Sequence, residues 1–560
     1  MNKNILCCIV LILSVLACKT QKNENLKTPV SNKDSRPNII FLFTDDQNAT
    51  VLGCMGNDII KTPNIDKLAD KGVLFERCYA TSPLCMAARA TVMTGMYEFK
   101  TGCNFQTGKL AKEDWDNLAY PAQLKKNGYR TAFTGKWGFG IDKNFDGTQY
   151  FDKWGRLEGG QGEYETIKNP LMVDYAEKYP HVTRALGAFG ADFINESKDS
   201  GKPFCLSISF KAPHEPHDII DPIDQKLYQD VVFPTPPTYG KKGLDLLPAQ
   251  PKMSRQYMQR KKWSPDVFQD HTRAYYQLVS GVDAAVGMIT EALEEAGVAD
   301  NTIIIYSSDN GYHLGAHGLA GKVLPYETSS RIPLIIYDPR APKAARGQKT
   351  TTITGNIDFA PTILDAAGLA IPAKMDGKSL MPAVQKTGVK VRESLGLVQA
   401  WDVTDTDLPK GLAVVTEDYK YIKWCYADEN MPESEELFNL VKDPNEMENI
   451  ATNEKEQLEK MHKDYDEFHQ YWANNTIGKE FYERYVDIFD RNMPWQNKKF
   501  VLYPKQEPFR WRKWGKPLRD AYEDMTGEKY PEIVRTPEMI EKEKKKTKNE
   551  KASMKKSKKE

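Results

Sequence analysis

The sequence lacks any excess of charge of one sign, since its 560 residues include 77 basic and 77 acidic side chains. A general nucleic-acid binder would carry a net basic charge, so no nucleic-acid partner is predicted. Long apolar runs are scarce as well. The run at residues 5–16 is shorter than the roughly 20 residues that span a bilayer. No internal repeat is present.

Cysteine is sparse, and its positions limit the possible chemistry. The six cysteines beyond the N-terminal leader have no zinc-binding spacing and form no dense disulfide framework. One structural disulfide is compatible with export. Cys205 lies in an apolar run and is interpreted as a small core residue.

The N-terminus reads as a targeting segment. Residues 1–18 form a basic start and an apolar run that ends at Cys18 after small residues, which is typical of a bacterial lipoprotein signal peptide. Residues 19–36 are a predicted flexible tether. We expect an exported bacterial protein, periplasmic or on the outer membrane, with a lipid anchor at Cys18. The alternative is plain secretion with cleavage nearby.

Four short apolar runs each end abruptly in polar residues, at 38–43, 130–134, 204–210 and 302–306. Such runs are typical of buried strands in a mainly parallel sheet. A helical pattern over 275–296 stands between two of them, so an α/β fold is predicted. Sites in such folds form at the carboxyl ends of the strands.

The pattern changes after residue 390. A hairpin over 412–424, a strand at 436–440 and an amphipathic helix over 454–472 predict a small α+β domain with an antiparallel sheet at 391–475. Aromatic and charged residues without a clear period predict a surface-wrapping extension at 476–535. The Lys-rich end, 536–560, is predicted to be disordered.

Cys85 and Arg89 are four residues apart at the predicted start of a helix, and therefore share one face. Unpaired N–H groups at a helix N-terminus favour a bound anion. A pair of this kind on its own is more often a buried Cys and a surface Arg. The surrounding sequence decides between these interpretations.

Two oxygen-rich pairs, Asp45-Asp46 and Asp309-Asn310, follow predicted strands. One such pair is ordinarily a turn or a helix cap, but two at equivalent strand ends favour a hard cation, Ca²⁺ or Mg²⁺. The candidate polar groups around an anion are Lys136, His214 and Lys322. A zinc site is not expected.

These residues belong to an ordered set of motifs. In chain order the motifs are Asp45-Asp46, Cys85-Met86-Ala87-Ala88-Arg89 with Thr94-Gly95, Gly135-Lys136-Trp137, Ala212-Pro213-His214, Ser308-Asp309-Asn310-Gly311 and Lys322. Together they resemble the type I, formylglycine-dependent sulfatases of the alkaline-phosphatase-like superfamily, over residues 37 to about 450. The resemblance implies a large, mainly parallel central sheet flanked by helices in a catalytic domain at 37–390.

The resemblance also implies a mechanism. A formylglycine-generating maturation enzyme would oxidise Cys85 to 3-oxoalanine (formylglycine), whose hydrate attacks sulfur. Ca²⁺, in preference to Mg²⁺, would be held by the modified Cys85 and both oxygen-rich pairs. Charge on the sulfuryl oxygens would be stabilised by Arg89, Lys136 and Lys322. His214, with Lys322, would protonate the leaving alcohol.

One position departs from the family pattern: Gly138 stands where a His is usual. Either another group supplies that base, or the enzyme is weakened or inactive. A sulfated glycan is the expected substrate, with His181, Arg184 and His317 as candidate substrate contacts. Two alternatives stay open. They are a formylglycine-dependent phosphodiesterase or phosphonate monoester hydrolase, and a catalytically weak glycan-binding lipoprotein.

Overall fold

A computed structural model of the protein describes residues 35–105, 107–252, 254–260, 263–400, 410–425, 433–494 and 497–498. The predicted signal peptide, the anchor at Cys18 and the tether up to residue 34 lie outside the described residues. The part of the predicted extension that follows residue 498, and the Lys-rich end, also lie outside the described residues. Among the described helices, none has the length and apolar character that crossing a membrane requires.

Within the described residues the strands form three sheets. In chain order they are β1 (Asn38–Thr44), β2 (Val73–Phe75), β3 (Cys78–Tyr79), β4 (Arg130–Gly135), β5 (Lys153–Arg156), β6 (Phe204–Ser209), β7 (Thr302–Ser308), β8 (Arg331–Ile332), β9 (Leu334–Tyr337), β10 (Gln348–Thr350), β11 (Thr354–Gly355), β12 (Ser394–Gln399), β13 (Gly411–Thr416), β14 (Tyr419–Trp424) and β15 (Ser434–Asn439). The main sheet has eight strands in the order β10-β2-β9-β7-β1-β6-β4-β5, and only its β9 runs antiparallel to its neighbours. A three-stranded sheet has the order β11-β3-β8, and a four-stranded antiparallel sheet the order β12-β13-β14-β15.

The described residues form fifteen α-helices. They are α1 (Pro63–Lys71), α2 (Cys85–Thr94), α3 (Glu98–Thr101), α4 (Lys112–Leu118), α5 (Tyr120–Lys126), α6 (Val182–Ser197), α7 (Gly240–Leu246), α8 (Ala249–Lys252), α9 (Arg255–Arg260), α10 (Pro265–Glu295), α11 (Glu327–Ser330), α12 (Phe359–Ala366), α13 (Met381–Gln385), α14 (Lys455–Asn475) and α15 (Glu480–Phe489). Alternate residues of β1 separate two cores: Ile40 and Leu42 face α6 and α10, whereas Phe41 faces α5 and α12. The predicted α/β architecture is confirmed.

Strand register places the strand ends together. Ile40 of β1 is opposite Leu206 of β6 and Ile304 of β7, in parallel pairs. The polar residues that follow these three strands therefore meet at one edge of the sheet. The segment after β4 joins them, because Gly135 is opposite Ser209 at the end of β6.

The C-terminal sheet packs against α14, as the sequence predicted for a small α+β unit. The described part of the predicted extension contains an unpredicted helix, α15, which buries Tyr482, Tyr485 and Phe489 against the same core. The six cysteines among the described residues are all free, so the disulfide considered for the exported protein is not formed between them.

Candidate active site

Cys85 is the first residue of α2, and its side chain is buried. Arg89 lies one turn later on the same helix and is also buried. The backbone at Leu84 is extended, and no side chain caps the helix there. The predicted placement of a thiol and a guanidinium at a helix N-terminus is therefore confirmed.

The two oxygen-rich pairs meet at the end of the sheet. The backbone N–H of Asp46 donates to Asp309 Oδ1 (3.0 Å), and Asn310 Nδ2 donates to Asp46 Oδ1 (2.7 Å). Asp46 has a φ of 65°, a left-handed conformation that turns its carboxylate towards the β7 side. We call Asp45, Asp46, Asp309 and Asn310 the acid cluster.

The thiol faces the acid cluster. Cys85 Sγ lies 3.5 Å from Asp45 Oδ1 and 2.7 Å from Lys322 Nζ. Single donor atoms of Asp45, Asp46, Cys85 and His214 all lie within 4.8 Å of one another. Residues separated by more than 200 positions in the chain are thus brought to one point.

Three cations surround the acid cluster. Arg89 donates to Asp309 Oδ2 through Nε (3.1 Å), and its Nη1 donates to the carbonyl oxygen of Lys136 (2.9 Å). Lys136 Nζ contacts Asp45, and Lys322 Nζ contacts Asp46. The site therefore holds fixed positive charge beside the nucleophile position, which suits an anionic substrate.

The electrostatics of Cys85 argue against an unmodified thiolate. Burial, together with the charge of Asp45, raises the pKa of Cys85 to about 12. A reactive cysteine instead requires a lowered pKa, because the thiolate is the nucleophile. At neutral pH this side chain is a protonated thiol.

The carboxylates differ from one another. Burial works to raise the pKa of Asp45, but Lys136 and the neighbouring cations hold it well below its usual value. Burial and the charge of Asp45 raise the pKa of Asp309 to about 7. The charge of Asp45 is thus the more strongly stabilised of the two.

His214 borders the cluster with its Nε2 atom 3.8 Å from Asp46 Oδ2. Its Nδ1 lies 2.6 Å from the carbonyl oxygen of Glu215, so Nδ1 carries the hydrogen. Burial lowers its pKa to about 3, so the imidazole is neutral. The hydroxyl group of Tyr164 donates to the carbonyl oxygen of His214 (2.5 Å) and so fixes the backbone there.

The acid cluster fits a hard divalent cation. Asn310 Oδ1 is buried and accepts no hydrogen bond from the described residues, so it is an oxygen donor without a partner. Carboxylate and amide oxygens are the ligands that Ca²⁺ prefers. The ammonium groups of Lys136 and Lys322 lie against two of the carboxylates, as counter-charges at the same place.

Gly138, where the family pattern has a His, lies against Arg89. Its φ is +75°, and a Cβ built there would be 2.6 Å from Arg89 Cδ. Only glycine fits this backbone, because a side chain would overlap the arginine. The departure from the pattern is therefore coupled to the position of Arg89.

None of the three candidate substrate contacts hydrogen-bonds or ion-pairs with the acid cluster among the described residues. His181 caps α6 by accepting from the N–H of Thr183 (3.4 Å) and stacks on Tyr164, so it is used in the fold. His317 is buried and stacks on Tyr326. Arg184 forms buried ion pairs with two carboxylates, those of Asp221 and Asp224.

Sequence reasoning also missed a partner of Arg89. Ser209 Oγ accepts from Arg89 Nη1 at 2.5 Å. Ser209 is the last residue of β6, two residues before Lys211 and the His214 loop. Its position at a strand end was the available signal.

Comparison with known proteins identifies the family. The sulfatase family profile matches residues 37–369, more than half of the chain. The chain belongs to the sulfatase family. A second profile, for the C-terminal part of N-sulphoglucosamine sulphohydrolase, matches residues 315–470 of this sulfatase. The protein is accordingly a sulfuric ester hydrolase.

Two relatives resemble this sulfatase over most of their length. An N-acetylglucosamine-6-O-sulfatase of Bacteroides thetaiotaomicron is 29% identical over 539 residues, covering 84% of this chain and 91% of the relative. The human N-acetylglucosamine-6-sulfatase is 30% identical over 467 residues, covering 74% of this chain and 81% of the relative.

Solved structures agree on the fold. BT4656 in complex with its substrate D-glucosamine-2-N,6-O-disulfate superposes with a TM-score of 0.65 and 27% identity, over 82% of this sulfatase and 100% of that chain. A phosphonate monoester hydrolase of Agrobacterium radiobacter superposes with a TM-score of 0.63 at 19% identity, over 79% and 96%. At that identity the second likeness shows the fold alone.

Proposed function

We propose that this sulfatase hydrolyses sulfate esters of glycans, using formylglycine made from Cys85 and a bound Ca²⁺. The observation that carries the proposal is the convergence of a helix-terminal Cys85, an oxygen-rich acid cluster and three cations on one point. A nucleophile position, a cation site and an anion site are then adjacent.

The modification of Cys85 is supported by its environment. A buried thiol with its pKa raised to about 12 is a poor nucleophile, whereas an aldehyde hydrate offers two hydroxyl groups. The maturation enzyme that oxidises the cysteine is the expected partner. It would act before the chain folds, because the folded protein buries Cys85.

Asp45, Asp46, Asp309 and Asn310 are the proposed metal ligands, together with the modified Cys85. When bound, Ca²⁺ supplies positive charge that acidifies and orients hydroxyl groups nearby. Ca²⁺ is preferred over Mg²⁺ because this donor set consists of carboxylate and amide oxygens, with no shell of water required.

The remaining polar side chains have separate roles. Arg89 is held by Asp309, Ser209 and the Lys136 carbonyl, so its guanidinium is oriented to stabilise charge on the sulfuryl oxygens. Lys136 and Lys322 add charge beside it. Neutral His214 has a free Nε2 that can hold a proton, and Lys322, in spite of its burial, has its pKa raised above the usual value by the cluster. These two groups serve proton transfer at the leaving oxygen.

The sugar is proposed from the relatives. Two relatives named as N-acetylglucosamine-6-sulfatases, and a structure with a bound glucosamine disulfate, favour a 6-O-sulfate on an amino sugar. His181, Arg184 and His317 stay the proposed contacts of the sugar. The phosphonate hydrolase alternative has only a likeness of fold in its favour.

The chain organisation and location are part of the same proposal. Residues 37–390 form the catalytic domain, and 391–475 form the α+β subdomain. A lipid anchor at Cys18 would hold the enzyme in the periplasm or on the outer membrane, where glycan fragments are available.

The test begins with the Cys85 peptide. Co-expression with a maturation enzyme should convert it to a species lighter by about 18 Da, the change from thiol to aldehyde. The converted protein should then release sulfate from 6-O-sulfated N-acetylglucosamine, with Cys85→Ala as the blank. An unmodified thiol, beside a control sulfatase that is converted, would contradict the proposal.

The choice between sulfate and phosphorus esters needs matched substrates. Aryl sulfate, aryl phosphate and aryl phosphonate esters with the same leaving group should be compared on the converted enzyme. Faster hydrolysis of the phosphonate would favour the alternative. Tight binding of the sulfated sugar without release of sulfate would favour the glycan-binding lipoprotein.

A further inference from the structure

Lys322 lies on a long irregular segment. Residues 311–326, which we call the Lys322 loop, connect the acid cluster after β7 to the short helix α11. A hydrogen bond from the N–H of Gly311 to the carbonyl oxygen of Ser329 in α11 (2.7 Å) joins the start of the loop to the helix that follows it. Within the loop, the N–H of His313 donates to the carbonyl oxygen of Gly321 (2.7 Å). The position of the loop relative to Cys85 therefore depends on the contacts that hold its C-terminal end, next to α11.

The α+β subdomain holds that end through Glu446. Glu446 Oε2 accepts a hydrogen bond from the N–H of Glu327 at 2.7 Å, directly after the loop. The same oxygen lies 3.7 Å from His317 Nε2, within the loop. One carboxylate thus contacts both His317, within the Lys322 loop, and Glu327, directly after it, which are ten positions apart in the chain.

The Glu446 carboxylate is itself fixed. Lys420 of β14 donates to Glu446 Oε1 (3.0 Å) and pairs with Glu327 (2.7 Å), and none of its side chain is exposed. Arg331 completes the group with an ion pair to Glu327 (3.0 Å). Moving one member of this network would leave a buried charge without its partner, which is costly.

A second contact acts in parallel. Tyr326, the last residue of the loop, donates to Glu436 Oε2 of β15 (2.8 Å), which also accepts from Trp424 Nε1 (2.7 Å). The ring of His317 stacks on Tyr326 with centroids 4.8 Å apart. The interior of the loop and its end are therefore joined to the same subdomain.

We propose that Glu446 is a positioning residue, which sets the place of Lys322 at the nucleophile by fixing the Lys322 loop from the α+β subdomain. The inference rests on the proposed function, since it assumes that Lys322 acts on the sulfate ester. Displacement of a catalytic group by about 1 Å can cost on the order of 10²-fold in rate. The subdomain thus contributes to the active site through the Lys322 loop.

The test compares Glu446→Ala with Glu446→Gln. The Gln side chain retains an oxygen that accepts from the N–H of Glu327, so it should recover most of the lost activity. In Glu446→Ala we expect kcat to fall by roughly 10- to 100-fold with KM little changed. The fall should be larger for a sugar sulfate than for 4-nitrophenyl sulfate, because the poorer leaving group needs more help from Lys322.

The control is Met461→Ala, which removes a buried side chain of α14 in the same subdomain and lowers stability but leaves the contacts of Glu446 in place. Hydrogen exchange of residues 311–326 is the second readout. It should rise in Glu446→Ala and stay unchanged in Met461→Ala.

Two outcomes would overturn the inference. One is unchanged exchange of the loop in Glu446→Ala. The other is a loss of activity equal for both leaving groups and equal to that in Met461→Ala. If the unsubstituted enzyme releases no sulfate, the proposed function fails instead, and the exchange of the loop still decides whether Glu446 holds it.

Discussion

Restoring the family's usual histidine at Gly138 should damage this enzyme. A Cβ at this position would lie 2.6 Å from Arg89 Cδ and 3.1 Å from Arg89 Nε. Carbon atoms in contact are about 3.5–4.0 Å apart, so the arginine would have to move by roughly 1 Å. The left-handed backbone, with a φ of +75°, adds about 1–2 kcal/mol for a residue with a side chain.

The displacement matters because hydrogen bonds from Nε and Nη1 hold Arg89 where it is. Its guanidinium donates to Asp309, Ser209 and the carbonyl oxygen of Lys136, and a shift breaks this set. We expect Gly138→Ala and Gly138→His to lower kcat/KM by on the order of 10²-fold each. The two variants should be alike, because the Cβ atom that they share is the cause.

Release of sulfate from 6-O-sulfated N-acetylglucosamine measures the effect, after mass analysis has shown equal conversion of Cys85. Gly201→Ala is the matched control, since Gly201 has a φ of +68° and no other group lies within 4 Å of the place that a Cβ would take. It should lose stability to a similar extent and keep its activity. Activity in Gly138→His equal to or above that of the unsubstituted enzyme would refute the reasoning.

Three other perturbations have defined expected outcomes. Arg89→Lys keeps the charge but loses the planar fork, so kcat/KM should fall by about 10²–10³-fold with the circular dichroism unchanged, and near-normal activity would show that charge alone suffices. Removal of Ca²⁺ with a chelator should abolish sulfate release. It should also lower the free energy of unfolding by about 2.7 kcal/mol, relative to the protein at a Ca²⁺ concentration of 100 times Kd. A free energy of unfolding that does not depend on Ca²⁺ would contradict the acid cluster as the Ca²⁺ site. Burial raises the pKa of Asp283, which accepts from the N–H of Ile65 (2.8 Å), to about 6. The folded protein thus holds this proton more tightly than the unfolded chain does. The contribution of Asp283 to the free energy of unfolding is therefore full below about pH 4 and is lost as the pH rises to about 6. Asp283→Asn should remove this pH dependence of the free energy of unfolding, measured in urea titrations.

The central strands could be predicted from the sequence because a strand buried on both faces is a continuous apolar run. Strand β1 is buried at every position, and its apolar run stands out from the polar residues that follow. Strand β9 has a similar apolar run but is only four residues long, and neither it nor helix α15 was predicted. Helix α15 is stabilised by aromatic packing onto α14. Its apolar residues recur at helical spacing, a local signal that the prediction of a surface-wrapping extension overlooked.

The candidate site was predictable to the extent that parallel strands end at one edge. This rule joined Asp45, Lys136, His214 and Asp309 before any distance was known. It did not apply to residues on helices. Arg184 resembled a ligand contact in sequence, but its two carboxylate partners, Asp221 and Asp224, are distant in the chain and became visible only in the fold.

The buried charges of the site explain which kind of ester it selects. The three carboxylates of the acid cluster face three cations, Arg89, Lys136 and Lys322, so their formal charges balance. A divalent cation added to this set makes a buried site positive, which is costly unless an anion enters as well. A sulfate ester supplies that anion, and so metal and substrate each lower the electrostatic cost of binding the other. A neutral ester of the same shape would gain nothing from this coupling. Charge, before any contact with the sugar, therefore discriminates in favour of an anionic ester.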